Sequence, residues 1–425
     1  MTEATPPRSA PSTEPRERPR ARDTGAAIAV AMAVMNVATY GFQMITARVL
    51  GPQDYGAFAA LMNVLLVVSV MSLAVQATAA RRISAEPGDV EGIERAVLRV
   101  TYRSALVLGV VLLVASPLIN WLLRLESLAS AALVGVIAVP LTIMGGQAGV
   151  LQGERRWGPL ALVYLAAGVP RLVVGTALVL WQPGEATAVL GVAIGAIAPV
   201  VVGTIALRRP RHLETPHDLP STPSLLGEVA RSSQALLAFF ALSNVDVIVA
   251  RNVLDGREAG LYAAGLIMTK AVLFLPQFVV VVAFPAMSTV RERRRTLVRG
   301  LLAVAGIGAV STAGAWVLSG LAMVFVGGAQ YDEIQGLLWL FAVLGTCLAM
   351  LQLLVYSVLA RQGRRSVYVP WVALVALVAA GLGADSVESL LVVVVVVDAV
   401  LLAVLLTVSL VLTAREVPEE PVTEP

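Results

Sequence analysis

The sequence predicts an all-α membrane protein with about twelve transmembrane helices, arranged as two parallel six-helix repeats. Three observations carry this. Of 425 residues 58% are hydrophobic and only 14% charged, with a mean hydropathy of +0.83, whereas a soluble domain carries about a quarter charged residues. The apolar residues fall in long runs and not in period-2 alternation, which argues against a β-barrel and leaves helices as the way to satisfy the backbone in hydrocarbon. The third is an internal repeat, described below.

Composition also excludes several classes. The net charge of +3 and pI near 9.2 come from short basic clusters between apolar runs, a pattern that does not suit nucleic-acid binding. Cys347 is the single cysteine, so there is no intramolecular disulfide. Lys270 is the single lysine and sits in Ile-Met-Thr-Lys-Ala-Val, so there is no Walker A loop and no ATP hydrolysis by one. The two histidines, His212 and His217, lie five apart in a Pro-rich connection with no helix to align them, so no metal site is expected. Gly-x-Ser-x-Gly, His-Glu-x-x-His and Cys-x-x-Cys are all missing, and neither an enzymatic centre nor a cofactor is expected.

Apolar runs of the length that crosses about 30 Å of hydrocarbon fall at 25–47, 56–80, 97–118, 128–150, 158–181, 186–207, 227–250, 260–286, 297–323, 335–360, 366–384 and 388–413. Pro140, Pro170, Pro199, Pro276 and Pro370 fall within five of them, where kinks or breaks are expected. Residues 1–23, rich in Pro and Arg, read as a disordered tail, and 415–425 as an acidic one. Between them the expected units are 24–207, a linker at 208–226, and 227–414.

Arginine sets the orientation. With the amino terminus in the cytoplasm, the inner segments hold Arg81, Arg82, Arg95, Arg99, Arg155, Arg156, Arg208, Arg209, Arg211, Arg291, Arg293, Arg294, Arg295, Arg361, Arg364 and Arg365. The outer connections hold only Arg48, Arg124, Arg251 and Arg257. Both termini are therefore expected on the cytoplasmic side of the cytoplasmic (inner) membrane. The Arg291–Arg295 cluster reads as positive-inside signal, with anionic lipid headgroups as neighbours.

The repeat crosses the linker. Gly56-Ala57-Phe58-Ala59-Ala60 aligns with Gly260-Leu261-Tyr262-Ala263-Ala264 at an offset of 204, and Val-Leu-Gln-Gly-Glu-Arg-Arg near 150 aligns with Val-Leu-Ala-Arg-Gln-Gly-Arg-Arg near 358. Six spans per repeat is an even number, so the halves are parallel, a transporter arrangement.

These residues resemble a known family. Arg48, Leu50-Gly51-Pro52 and Tyr55-Gly56 look like the first-to-second-helix signature of the oligosaccharide flippases, or polysaccharide biosynthesis transporters, of the multidrug/oligosaccharidyl-lipid/polysaccharide exporter superfamily. Gln152-Gly153 with Arg155-Arg156 is similar to that family's inner loop after the fourth span. The resemblance implies a V-shaped two-lobe bundle, alternating access, and a polyprenyl-diphosphate-linked oligosaccharide as cargo. It also implies polysaccharide assembly proteins as partners. A cation-coupled drug or small-molecule exporter of the same fold is the alternative, and a membrane glycan polymerase or ligase is disfavoured by the short outer connections.

Ionisable residues inside spans are functional candidates by default. Arg171 and Lys270 are expected to line the cavity and hold the diphosphate, with Asp246 as a partner of Lys270 or, with Asp398, a carrier of a coupling H⁺ or Na⁺. The bland reading is structural pairing or snorkelling. Arg48 and Arg251 sit at equivalent places in the two repeats. Each is favoured by the dipole of the helix it ends, or else serves as an outer-gate residue facing the cargo's headgroup. Asn36, Tyr40 and Gln43 share one helix face, and Asn63, Gln76, Gln234, Asn244 and Gln277 mark neighbouring spans. Asn36, Gln43 and Asn244 are the amides expected to meet sugar hydroxyls, against interhelical hydrogen bonding as the plain account. Gly145/Gly149 and Gly191/Gly195 read as close packing within a lobe.

Overall fold

The computed structural model describes residues 21–85, 90–208, 222–274, 290–360 and 368–415. Residues 1–20 and 416–425 of the tails, most of the 208–226 linker with Arg209, Arg211, His212 and His217, residues 275–286 of the eighth span with Pro276 and Gln277, and Arg361, Arg364 and Arg365 lie outside these. Helices account for nearly all described residues: α1 (Ala21–Ala85), α2 (Val90–Val114), α3 (Ser116–Leu123), α4 (Leu128–Gly153), α5 (Trp157–Trp181), α6 (Glu185–Gly195) and α7 (Ile197–Leu207) in the first half. The second half holds α8 (Thr222–Val253), α9 (Gly256–Phe274), α10 (Val290–Val317), α11 (Ser319–Val326), a 3-10 stretch (Ala329–Leu337), α12 (Leu338–Ala360), α13 (Val369–Gly381) and α14 (Val387–Arg415).

Among the described residues nine helical stretches are long and apolar enough to cross a membrane. The first, Ala27–Ala85, has 59 residues, enough for two crossings. It covers the first two predicted spans, and its only non-helical residue is Gly51 (φ 73°, ψ 175°). The predicted exposed connection is thus reduced to one residue, a conformation that glycine adopts without strain. Pro52 follows, at a position where a helix start needs no N–H donor. Gly51→Ala is expected to cost about 1–3 kcal/mol, seen as a lower melting temperature of the purified protein. The other two predicted positions are taken by α9, which carries Arg257, Glu258 and Lys270, and by α13, which has only 13 residues.

The prolines act selectively. α4 and α5 continue through Pro140 and Pro170. The sixth span divides at Ala196, three residues before Pro199, and Pro370 opens α13, where its missing donor is harmless. The third and ninth spans each break near their end, leaving the eight-residue helices α3 and α11.

Close glycine contacts give the direction of each pair. Gly168 meets Met35 and Gly175 meets Phe42, so α5 runs parallel to the first half of α1. Gly145 meets Ser72, Gly149 meets Gln76 and Gly153 meets Ile83, so α4 runs parallel to its second half. Gly109 on α2 instead meets Gly135 while Thr101 meets Gly146, an antiparallel pair. In the second lobe Gly265 meets Phe341 and Gly345 meets Thr269, so α9 and α12 are parallel. Every direction agrees with a chain that crosses and recrosses a slab. Gly145/Gly149 and Gly191/Gly195 all pack inside the first lobe, Gly191 on Gly175 and Gly195 on Arg171.

The lobes meet through α1, which packs against α8 and α9 as well as α4 and α5. One buried cluster spans both, from Phe42, Tyr55 and Phe58 to Tyr262, Tyr331 and Phe341. At the Gly51 end Gly56 and Gly260 touch backbone to backbone, a Cβ on Gly56 lying 2.9 Å from the Gly260 Cα.

Candidate functional site

Lys270 is buried on α9 between the lobes. Its Nζ donates to the Asn244 Oδ1 of its own lobe at 2.7 Å and to the Asn63 Oδ1 of the other. Each amide is oriented by its own helix: Asn63 Nδ2 donates to the Ala59 carbonyl and Asn244 Nδ2 to the Phe240 carbonyl, both at 2.7 Å. With their N–H groups engaged, both asparagines present oxygen to the ammonium, as a cation requires. No carboxylate lies within ion-pair distance of Lys270 among the described residues. Two voids of about 20 Å³ each border it, one lined by Gln43, Tyr55 and Asn63, the other by Phe240, Asn244 and Gln352. Each has room for about one water.

The acids form a separate group inside the second lobe. Asp246 accepts from the Tyr262 hydroxyl at 2.9 Å and from the Val247 N–H at 2.9 Å. It is thus not the ion-pair partner of Lys270 that the sequence suggested. Asp398 on α14 is buried and close enough to interact electrostatically with Asp246 and Tyr262, while its Oδ1 has no hydrogen-bond partner among the described residues. A buried carboxyl oxygen left without a partner is costly when ionised.

Arg171 is not brought to Lys270. It lies on α5 against Gly195 at the break between α6 and α7, and its Nε is enclosed without a hydrogen-bond partner among the described residues. Asn36, half-buried, lies two helical turns from Gln43 on the same face of α1. Gln76 is absorbed within the first lobe, donating to Gln152 Oε1 at 3.0 Å and to the Tyr164 hydroxyl at 2.9 Å.

Arg48 and Arg251 do not serve the helices they end, nor do they bond to each other's side chains. Arg251 Nε donates to the Leu123 carbonyl at 2.9 Å and its NH2 to the Arg124 carbonyl at 2.6 Å, at the end of α3 in the other lobe. Arg48 donates across to the Val324 carbonyl of α11. Beside them Asn252 donates to the Leu122 carbonyl at 2.8 Å, and the Tyr331 hydroxyl to the Ala47 carbonyl at 2.8 Å. Tyr262, Tyr331 and Gln352 gave no sequence signal as site residues. Tyr262 stood within the repeat match, and Asn63 among the polar marks of the second span, but neither pattern pairs a residue with a partner in the other lobe.

Two six-span lobes joined along their leading helices, with a buried charge between them, define the two-lobe transporter class of helical membrane protein. The chain belongs to the family described as polysaccharide biosynthesis proteins, whose model matches residues 45–336. Among solved structures it is similar to an inward-facing multidrug resistance MATE family transporter of the MOP superfamily, at 14% identity over 92% of this chain and 98% of that one, with a TM-score of 0.73. An outward-facing structure of such a transporter matches at 14% identity over 93% and 96%, with a TM-score of 0.67. A MOP superfamily transporter from Pyrococcus furiosus, described as having a binding pocket of reverse polarity, matches at 15% identity over 92% and 95%, with a TM-score of 0.62. No curated protein matches the chain.

Proposed function

We propose that the protein is a flippase that moves a polyprenyl-diphosphate-linked oligosaccharide from the inner to the outer leaflet of the cytoplasmic membrane. In this reading both termini are cytoplasmic, the Gly51 end faces outward, and no covalent chemistry takes place. The carrying observation is Lys270, an ammonium buried between the lobes and held, among the described residues, by neutral amide oxygens, one of them from the opposite lobe. When the lobes part, Asn63 leaves with α1 and the cation is left facing a cavity with low-dielectric walls, where it attracts an anion strongly. A diphosphate matches that charge. Arg171, apart from Lys270 while the lobes are together, is in this reading a second cation that the first lobe turns to the cargo only once they part, and Asn36, Gln43 and Asn244 offer donors and acceptors to the adjoining sugars. Membrane of a polysaccharide-synthesising cell is the expected setting, with the assembly proteins that use the flipped glycan as neighbours.

Coupling belongs to Asp246 and Asp398. A proton or Na⁺ taken up by this pair neutralises charge inside the second lobe and biases its packing. Asp246→Asn is expected to leave the protein folded and its transport insensitive to the ion gradient, measured in proteoliposomes with the gradient imposed or collapsed.

The function is tested by complementation in a host whose own lipid-linked-oligosaccharide flippase is deleted. Restoration of outer-leaflet glycan is the expected result. A well-expressed protein that restores no glycan and exports cationic dyes would instead establish the cation-coupled exporter, which the acid pair favours and Lys270 opposes.

A further inference from the structure

We propose that Arg48 and Arg251 form a reciprocal latch that holds the Gly51 end of the two lobes closed. Each arginine caps the C-terminal end of the short helix belonging to the other lobe. The last carbonyls of a helix lack intrahelical partners and carry its negative dipole end, so a guanidinium is a strong cap for them. Arg48 and Arg251 are 203 positions apart, and so are the starts of α3 (Ser116–Leu123) and α11 (Ser319–Val326). The two caps are therefore copies of one device related by the internal repeat, exchanged between the lobes.

A cap on its own helix survives any rigid movement of the lobes. A cap on the other lobe's helix exists only while the lobes touch at that end, so its energy favours one conformation over the other. The two arms are unequal. Arg251 is buried and bridges two carbonyls, with Asn252 alongside, whereas Arg48 is exposed and reaches one. Arg251 is the stronger arm. It also borders a cavity of about 190 Å³ lined by Asp54, Glu126, Glu185 and Asp255. Asp54, Glu126 and Glu185 belong to the opposite lobe, so their attraction also favours closure, while Asp255 stays on the lobe of Arg251 as a counter-charge after release.

The latch rests on the transport reading only in requiring that the lobes part. Its test uses no cargo, so the two readings fail separately. In a Cys347→Ser background, spin labels at Gln182 and Asp385 report the Gly51 end, and labels at Arg155 and Arg299 report the opposite end; all four positions are exposed. Arg251→Ala is expected to raise the population separated at the Gly51 end about tenfold, the scale of one charge-assisted hydrogen bond, with a matching approach at the opposite end. Arg251→Lys, unable to fork onto two carbonyls, should fall between. Arg48→Ala should give about threefold, as expected of an exposed single bond, and it keeps the test available if Arg251→Ala is not recovered folded. Distances unchanged at both ends, whether or not the melting temperature drops, would overturn the latch and leave two structural caps.

Discussion

Lys270→Met is expected to abolish transport while leaving the protein folded. Burying an ammonium costs several kcal/mol, and Lys270 recovers that through two amide oxygens, with no carboxylate in bonding range among the described residues. Methionine fills much the same space and removes the desolvation cost. Against this, Asn63 and Asn244 lose their donor, about 1–3 kcal/mol for each oxygen left unsatisfied. The terms oppose, so the net stability change should stay within about 2 kcal/mol. Transport should fall by about 100-fold or more, since the group that holds the diphosphate is gone and a buried charged contact is worth ~3 kcal/mol or more. Lys270→Arg keeps the charge on a larger, planar head and should retain a measurable fraction. Both readouts are available together: flipping assayed in proteoliposomes and melting followed on the same preparation. Full transport by the methionine variant would remove Lys270 from the cargo site.

Gly260→Ala is expected to produce the largest conformational change of any single methyl group added to this protein. A Cβ there would overlap the Pro52 carbonyl oxygen, and the obstructing atom is backbone, not the end of a flexible side chain. Overpacking of this kind costs typically 1–3 kcal/mol. Because Gly260 and Pro52 belong to different lobes, the clash is relieved by opening the Gly51 end and not by unfolding. The variant should be stable yet held open there, with long distances between labels at Gln182 and Asp385, and transport should stop for want of the return step. Gly56→Ala, which meets the Gly260 Cα at 2.9 Å, should act in the same direction more weakly. A Gly260→Ala protein that still closes at that end would show that α1 and α9 shift past each other more easily than their contact implies.

Much of the architecture was legible in advance because a membrane imposes it. Runs of apolar residues about 20 long, with arginine on alternate connections, fix the number and direction of the crossings, and the glycine contacts in both lobes agree with those directions. The resemblance in Arg48, Leu50-Gly51-Pro52 and Tyr55-Gly56 gave the family, which the family model over residues 45–336 bears out. Breaks were harder to foresee. Pro140 and Pro170 leave their helices unbroken, whereas the ends of the third and ninth spans separate as α3 and α11. Whether a missing N–H interrupts a helix depends on what surrounds the freed carbonyl.

By itself, the sequence determined a duplicated helical membrane protein, the uneven placement of its arginines, and the few charges that enter its spans. Those follow from hydrocarbon thickness and from the cost of moving charge out of water, both properties of single segments. Only the tertiary structure decided which charges meet. Lys270 takes two asparagines where an aspartate was one of the readings, Asp246 takes a tyrosine, Arg171 stands apart, and Arg48 and Arg251 each serve the helix of the opposite lobe. Such pairings join residues up to 276 positions apart. They depend on the register between packed helices, which a difference of one residue turns by about 100°, and no local pattern in the chain records it.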